Sequence, residues 1–122
     1  MKPLDIQWQD EPEDHNYPAA QSYLNLIFEE SVAGALVEKL RSAPLSGFKA
    51  KDILRASGLS LLPINNARVV RNHQKISTGI ALSPVLLVRD SVHAKVILAD
   101  GYHRLCAVYM LDENTLMSCK LV

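Results

Sequence analysis

The sequence predicts an α/β (α+β) domain, in which N-terminal helices pack against a core with a small mixed sheet. Apolar residues recur at helical spacing through residues 18–57, whereas two β-rich runs follow at Val85–Val88 and Lys95–Leu98. The second run breaks at a turn and gives way to another helical pattern. With 122 residues, of which 48% are hydrophobic, the chain fits one globular domain rather than two.

Changes in composition divide this domain into three segments. Residues 1–17 are acidic and interrupted by prolines, which predicts an extended arm with Trp8 as its anchor. The helical spacing of apolar residues in the segment 18–57 predicts a helical portion. It contains one or two amphipathic helices, followed by a short helix over Phe48–Ala56. Residues 58–122 contain both β-rich runs and form the predicted core.

Within the core, a helix is predicted over about Ala67–Thr78, introduced by the capping pair Asn65 and Asn66. Basic residues fall at i, i+3 and i+7 of this helix and share one face. A charged face is typical of any amphipathic helix exposed to solvent, and a binding site for an anion is the alternative. The residues of this basic stripe are Arg68, Arg71 and Lys75.

The turn that joins the second β-rich run to the last helix carries the clearest functional signal. Asp100 and Gly101 break the strand pattern, so His103 and Arg104 fall in the first turn of the helix. Cations are unfavourable there because free backbone amides and the helix dipole already make this end positive. An anion would offset that repulsion, and glycine would let the backbone approach it closely. The turn therefore predicts a phosphate-binding site.

The turn reads Ala-Asp-Gly-Tyr-His-Arg and lies between a Pro-Val-Leu-Leu-Val run and a helix that is followed by a short closing strand. In this it resembles the ParB/sulfiredoxin superfamily, over roughly residues 59–122. Sulfiredoxins have Phe-Gly-Gly-Cys-His-Arg at the turn, ParB proteins have Gly-Glu-Arg-Arg, and other members have Asp-Gly-His-x-Arg. The resemblance implies a ParB/sulfiredoxin-like core with a nucleotide site. It assigns to that site the basic stripe together with Gly101, Tyr102, His103 and Arg104.

Departures from the family patterns limit the activity that the resemblance implies. Tyr102 occupies the position of the nucleophilic cysteine of sulfiredoxins, and a phenol cannot form the sulfur intermediates that reduce a sulfinic acid. The ParB nucleotide box is absent, and no helix-turn-helix follows the core before Val122. We therefore expect neither sulfiredoxin activity nor chromosome partitioning. Cys106 and Cys119 are expected to be structural thiols in the core.

Asp100 matches an acidic residue of the small-molecule kinases in this superfamily, where acidic residues help to activate the hydroxyl acceptor. The resemblance thus implies a catalytic role, as a general base or as a ligand of a magnesium ion that bridges phosphates. The alternative is a helix N-cap, in which the carboxylate accepts a backbone N–H at the start of the helix. One residue can serve both roles.

Charge and composition argue against several other classes of function. Lys and Arg total 13 and Asp and Glu total 13, so no net field draws the chain to nucleic acid or to a membrane. The His and Cys residues lack metal-ligand spacing, so no metal site is predicted. The sequence has neither a signal peptide nor a membrane span, which predicts a cytoplasmic protein without a membrane partner.

The sequence thus predicts binding of a nucleotide or another phosphorylated small molecule. Phosphoryl transfer or nucleotide hydrolysis would need a magnesium nucleotide as cofactor, and the sequence does not decide whether the chain is an enzyme. Two alternatives stay open. One is a non-enzymatic scaffold that binds a protein partner through the arm and the N-terminal helices. The other is a ParB-like nucleic-acid-binding or nuclease domain, against which the neutral charge argues.

Overall fold

A computed structural model describes residues 5–122, which form five helices and four strands. The α+β class that the sequence predicts is thereby confirmed. No helix within the described residues is both long enough and apolar enough to cross a membrane. In chain order the elements are α1 Asn16–Leu24, α2 Glu30–Ser42, β1 Leu45–Lys49, α3 Ala50–Ser57, α4 Ala67–Ser77, β2 Val85–Asp90, β3 Lys95–Asp100, α5 Tyr102–Leu111 and β4 Leu116–Leu121.

The four strands form a mixed sheet in the order β1-β4-β2-β3. Strand β4 pairs antiparallel with β1 and parallel with β2, and β2 pairs antiparallel with β3. The two β-rich runs of the sequence are therefore neighbouring strands, as predicted, and each continues for two residues beyond its predicted end. Because β3 runs antiparallel to β2, Asp100 at its end pairs with Leu86. Helix α5 consequently starts beside the beginning of β2.

Alternation along β2 divides the core between the two faces of the sheet. Val85 and Leu87 pack into one cluster with residues of α3 and α5, whereas Leu86 and Val88 pack into a second cluster with residues of α1 and α2. A third, smaller cluster joins α4 to α5. Helices therefore cover both faces of the sheet, and α4 docks on α5.

Both cysteines are buried free thiols, in agreement with the structural role predicted for them. Cys106 lies in the cluster between α4 and α5, and Cys119 lies in the cluster that α3 and α5 share with the sheet. Burial raises the pKa of each thiol. Neither is therefore a thiolate nucleophile at neutral pH, and each serves as a small apolar core residue.

Residues 5–15, in the segment predicted as an extended arm, contain no helix and one isolated β-bridge, and this segment is attached to the core at more than one point. The first four residues of the predicted arm lie outside the described residues. Trp8 forms an isolated parallel bridge with Leu82, with two flanking backbone hydrogen bonds of 2.8 Å. Ile6 is buried in the same cluster as Leu82, so Trp8 is not the sole anchor. Helix α1 begins at Asn16, which places the first helical residues inside the segment predicted as an arm.

Strand β1 is absent from the sequence prediction, which assigned this segment to the helical portion. Helix α3 begins at Ala50 rather than at Phe48, because the preceding residues pair with β4. The start of α3 is fixed by two backbone hydrogen bonds of 2.9 Å, from Ala50 N to Thr115 O and from Lys51 N to Glu113 O. These partners lie more than sixty residues away in the chain. Local periodicity carries no information on such a pairing.

A buried lysine links the N-terminal segments to the sheet. Only 2% of Lys120 is exposed, although lysine is rarely buried without a partner. Its Nζ donates to Arg41 O at 2.8 Å, lies 3.2 Å from a carboxylate oxygen of Glu11, and lies 5.8 Å from the centre of the Tyr17 ring. The arm, α1 and α2 are thereby held to β4 around one cation.

Asn66 caps helix α4, as the sequence predicts. Its Oδ1 accepts hydrogen bonds from Arg68 N at 3.0 Å and from Val69 N at 3.2 Å. These amides have no partner within the helix because they belong to its first turn. The neighbouring Asn65 is exposed and provides no cap.

Replacement of this cap should weaken the fold measurably. We expect Asn66→Ala to lower the free energy of unfolding by about 1 kcal/mol, since two amides of α4 lose their acceptor. Asn65→Ala is the matched control and should change it by less than about 0.5 kcal/mol. Urea denaturation of the three proteins measures both values. Equal losses in the two variants would contradict the assignment of Asn66 as the cap.

Candidate functional site

The turn between β3 and α5 is built on a glycine that no other residue can replace without strain. Gly101 has φ = +114°, in the region that favours glycine. A Cβ at this position would lie 2.8 Å from Val85 Cβ and 3.0 Å from Arg104 Nη2. The sequence predicted that Gly101 allows a close approach of the backbone to a ligand. In the structure the close approach is to β2.

The first turn of α5 carries amides without a partner inside the helix. The first intrahelical bond runs from Leu105 N to Gly101 O at 2.9 Å, so the amides of Tyr102, His103 and Arg104 precede it. Within residues 5–122 no side chain caps this end. This helix start therefore presents backbone donors together with the positive end of the helix dipole.

Asp100 does not cap α5, so the N-cap alternative for this residue is wrong. Its Oδ2 accepts a hydrogen bond from Arg104 Nη2 at 2.9 Å, and the two side chains are 18% and 17% exposed. A carboxylate and a guanidinium that are largely withdrawn from water bind each other more strongly than a surface pair. The pair holds the Arg104 guanidinium in place against the turn.

Helix α4 docks so that its basic stripe faces this turn. Val69 is buried against Cys106 and Ala107 of α5. A second contact is the hydrogen bond of 2.9 Å between His73 Nε2 and Ala107 O, in which the ring nitrogen donates because a carbonyl can only accept. With Val69 and His73 directed at α5, the basic stripe falls on the neighbouring face of the helix.

A cavity of about 370 Å³ lies between the basic stripe and the turn. All three residues of the stripe line it, and from the turn and α5 it is lined by Asp100, Gly101, His103 and Arg104. Seven of the eight residues that the sequence predicts for the site therefore meet at one cavity.

Tyr102 is the predicted site residue whose side chain lies elsewhere. Its hydroxyl donates to the carbonyl of Ser60, in the loop before α4, and it does not line the cavity. Burial, and to a smaller extent the neighbouring Cys106, raises the pKa of the phenol. The side chain of Tyr102 is therefore a neutral structural group.

Sequence reasoning missed the contribution of α1 to the cavity. His15, Asn16 and Ala19 line one side of it. Asn16 is buried, and its Oδ1 accepts from Glu13 N at 2.9 Å and from Ser83 Oγ, which fixes the start of α1 beside the start of β2. These residues lie some fifty positions before the basic stripe. No local pattern in the sequence indicates this contact.

The cavity holds more positive charge than the protein itself compensates. Asp100 supplies the one carboxylate among the lining residues, and it is paired with Arg104. Within residues 5–122, none of the three residues of the basic stripe takes part in an ion pair. Burial lowers the pKa of His103, and the charges of Arg68 and Arg104 lower it further, against the opposing effect of Asp100. His103 is therefore neutral at neutral pH.

The residues of the cavity do not fit a resident magnesium ion. Magnesium in proteins is held by carboxylate oxygens, and the lining carboxylate already binds a guanidinium. Among residues 5–122, no three His, Cys, Asp or Glu side chains converge on one point. A magnesium ion at this cavity would have to be carried there by the phosphates of a ligand.

Substitution of Gly101 by a residue with a Cβ should lower the stability of the fold. We expect Gly101→Ala to lower the free energy of unfolding by at least about 2 kcal/mol, because it adds overpacking against Val85 to the cost of a positive φ. Gly79→Ala is the control, since Gly79 has φ = +75° and nothing within 4 Å of an added Cβ. It should lose only the backbone contribution of about 1 kcal/mol. Equal losses in urea denaturation would refute the close approach to β2.

The lowered pKa of His103 should make stability depend on pH. The folded state resists protonation of this ring, whereas the unfolded chain takes up a proton below a pKa of about 6.5. The free energy of unfolding should therefore fall as the pH drops below about 6.5 toward the pKa of the folded state. His103→Gln should reduce the slope of stability against pH between about pH 7 and pH 5. An unchanged slope in urea denaturation would contradict the assigned shift.

Comparisons with known proteins give no relative for this chain: no family model, no curated protein and no solved structure matches it.

Proposed function

We propose that the chain binds a nucleotide or another phosphorylated small molecule in the cavity between the basic stripe and the first turn of α5. The observation that carries the proposal is the charge of the cavity. Arg68, Arg71, Lys75 and Arg104 line one space of about 370 Å³ with a single carboxylate among them, that of Asp100. Like charges gathered in a partly enclosed space repel each other, and a bound anion removes that repulsion.

The donors of the cavity favour phosphate over other anions. Arginine presents a planar fork of N–H groups that can bind two phosphate oxygens at once. The amides at the start of α5 add backbone donors, which commonly bind phosphate at helix N-termini. Phosphate can accept from guanidinium groups, an ammonium group and backbone amides together, because it offers several oxygens in different directions.

Asp100 acts in this proposal by positioning Arg104. The guanidinium makes one side-chain hydrogen bond among the described residues, to Asp100, and its buried Nε has no partner there. The guanidinium thus keeps donor capacity beyond the ion pair. A catalytic role for Asp100 in phosphoryl transfer stays a prediction, and it would fall to Oδ1, because Oδ2 is committed to Arg104.

The proposal extends to membership of the ParB/sulfiredoxin superfamily and to a cytoplasmic location. Membership is supported by the sequence of the turn and by the order β2, β3, α5, β4 around it, with a basic helix before them. A cytoplasmic location is supported by two buried thiols that form no disulfide, since free thiols are typical of reducing compartments.

A ligand-induced thermal shift tests the proposed function. We expect inorganic phosphate, pyrophosphate or ADP to raise Tm, since a ligand at a hundred times its Kd adds about 2.7 kcal/mol. Arg71→Gln should weaken binding of the most stabilising of these by about tenfold, because one charge-assisted contact is lost. Arg55→Gln, on the exposed side of α3 and outside the cavity, is the matched control and should bind normally.

Two outcomes would overturn this function. If none of the three ligands stabilises the protein, the cavity is not a phosphate site. If Arg55→Gln weakens binding as much as Arg71→Gln, the anions bind to surface charge in general and not to the cavity.

A further inference from the structure

The residues that line the candidate site are nearly all polar or charged. Apart from Gly101, Ala19 is the one apolar residue that lines the cavity, and the imidazoles of His15 and His103 are its only rings. A nucleobase is usually bound by stacking on an aromatic ring or by burial against aliphatic side chains. Apart from these two imidazoles, the cavity offers neither kind of wall.

The apolar cavity of this protein lies at the opposite end of β2. It has a volume of about 260 Å³ and is covered by α3, and its lining includes Ile53, Leu87, Val96 and Leu121. The candidate site lies at Val85, where β2 begins and touches Gly101, whereas Leu87 and the residues after it lead away from that end. The apolar cavity is therefore not part of the candidate site, and it does not provide a binding surface for a base next to the start of α5.

The charge of the candidate site exceeds what a single phosphoryl group carries. Its four lysine and arginine side chains and its one carboxylate leave three uncompensated positive charges. One phosphoryl group carries a charge of about −1.5 to −2 at neutral pH. Two phosphoryl groups together match the charge of the site.

The cationic groups are also distributed over a length that suits two phosphoryl groups. The basic stripe extends over eight residues of α4, from Arg68 to Lys75, and the seven steps between them correspond to about 10 Å at a rise of about 1.5 Å per residue. The guanidinium of Arg104 and the amides of α5 lie on the facing wall. One phosphoryl group can bind at α5 while a second binds along α4.

We propose that the ligand is a compact, polar molecule with two phosphoryl groups, a diphosphate or a bisphosphate, and that the protein recognises it through these groups and not through a base. This inference rests on the proposed function and narrows its ligand. One phosphoryl group binds Arg104 and the first turn of α5, and the other binds the basic stripe. The polar walls contact the hydroxyl groups of a sugar or polyol that connects them.

Isothermal titration of the full chain with matched ligands tests this proposal. Pyrophosphate and fructose bisphosphate should each bind at least about tenfold more tightly than inorganic phosphate. ADP has the diphosphate of pyrophosphate plus a nucleoside, and it should bind no more than about threefold more tightly than pyrophosphate. Adenosine should not bind. Preference between pyrophosphate and fructose bisphosphate distinguishes a diphosphate ligand from a bisphosphate.

Variants of α4 test the two-group arrangement. In Arg71→Gln/Lys75→Gln, the preference for pyrophosphate over phosphate should fall from at least about tenfold to less than about threefold, because the second group loses its partners. Lys51→Gln/Arg55→Gln removes the same charge types from α3, outside the cavity, and should keep the full preference.

Different results would contradict a ligand with two phosphoryl groups and phosphate binding in general. Binding of ADP more than about threefold tighter than pyrophosphate would show that the nucleoside is recognised, and would overturn this inference while leaving phosphate binding intact. Equal affinities for phosphate and pyrophosphate, or an unchanged preference in the α4 variant, would overturn it likewise. Absence of binding by every phosphate compound would overturn both.

Discussion

The close approach of Gly101 to Val85 is the constraint on which the candidate site depends. Because no Cβ separates the turn from β2, α5 starts directly against the sheet, with its first amides unpaired by any side chain of the described residues. The same geometry places Arg104 one helical turn after Asp100, at the i,i+4 spacing in which their side chains meet. The direction of the guanidinium is thus a consequence of the backbone at one glycine.

Lys120 and the basic stripe differ in the groups that surround their positive charges. Lys120 is buried, and a carbonyl, a carboxylate and an aromatic ring surround its ammonium group, so its charge serves to hold the fold together. The cations of the basic stripe have no ionic partner among the described residues and converge on a cavity. Charge that is gathered in one place and left uncompensated costs stability, and it is typical of binding sites. This contrast is the physical basis of the function proposed for the cavity.

The features that the sequence predicted correctly are those set by local chemistry. Asn66 predicts the start of α4 because its side chain can replace a missing backbone acceptor, and short β-rich apolar runs predict β2 and β3. Strand β1 and the contribution of His15 were missed for a common reason. Each depends on a partner that the local pattern does not name: β4 for β1, and the packing of α1 near Ser83 for His15. The pair of Asp100 with Arg104 has the local i,i+4 spacing, but that spacing does not decide between an ion pair and a helix cap. Spacing alone identified the basic stripe, whereas only the tertiary structure brings it to the turn.

The most direct test of this account is a titration of the ¹⁵N-labelled protein with pyrophosphate, followed by the chemical shifts of its backbone amides. We expect saturable changes that are largest at the amides of Tyr102, His103 and Arg104, because these donors would bind the phosphate oxygens directly. Smaller changes should follow along α4. Changes that are spread over basic residues remote from the cavity, such as Lys39 and Arg55, or that grow without saturation, would contradict a defined phosphate site at the start of α5.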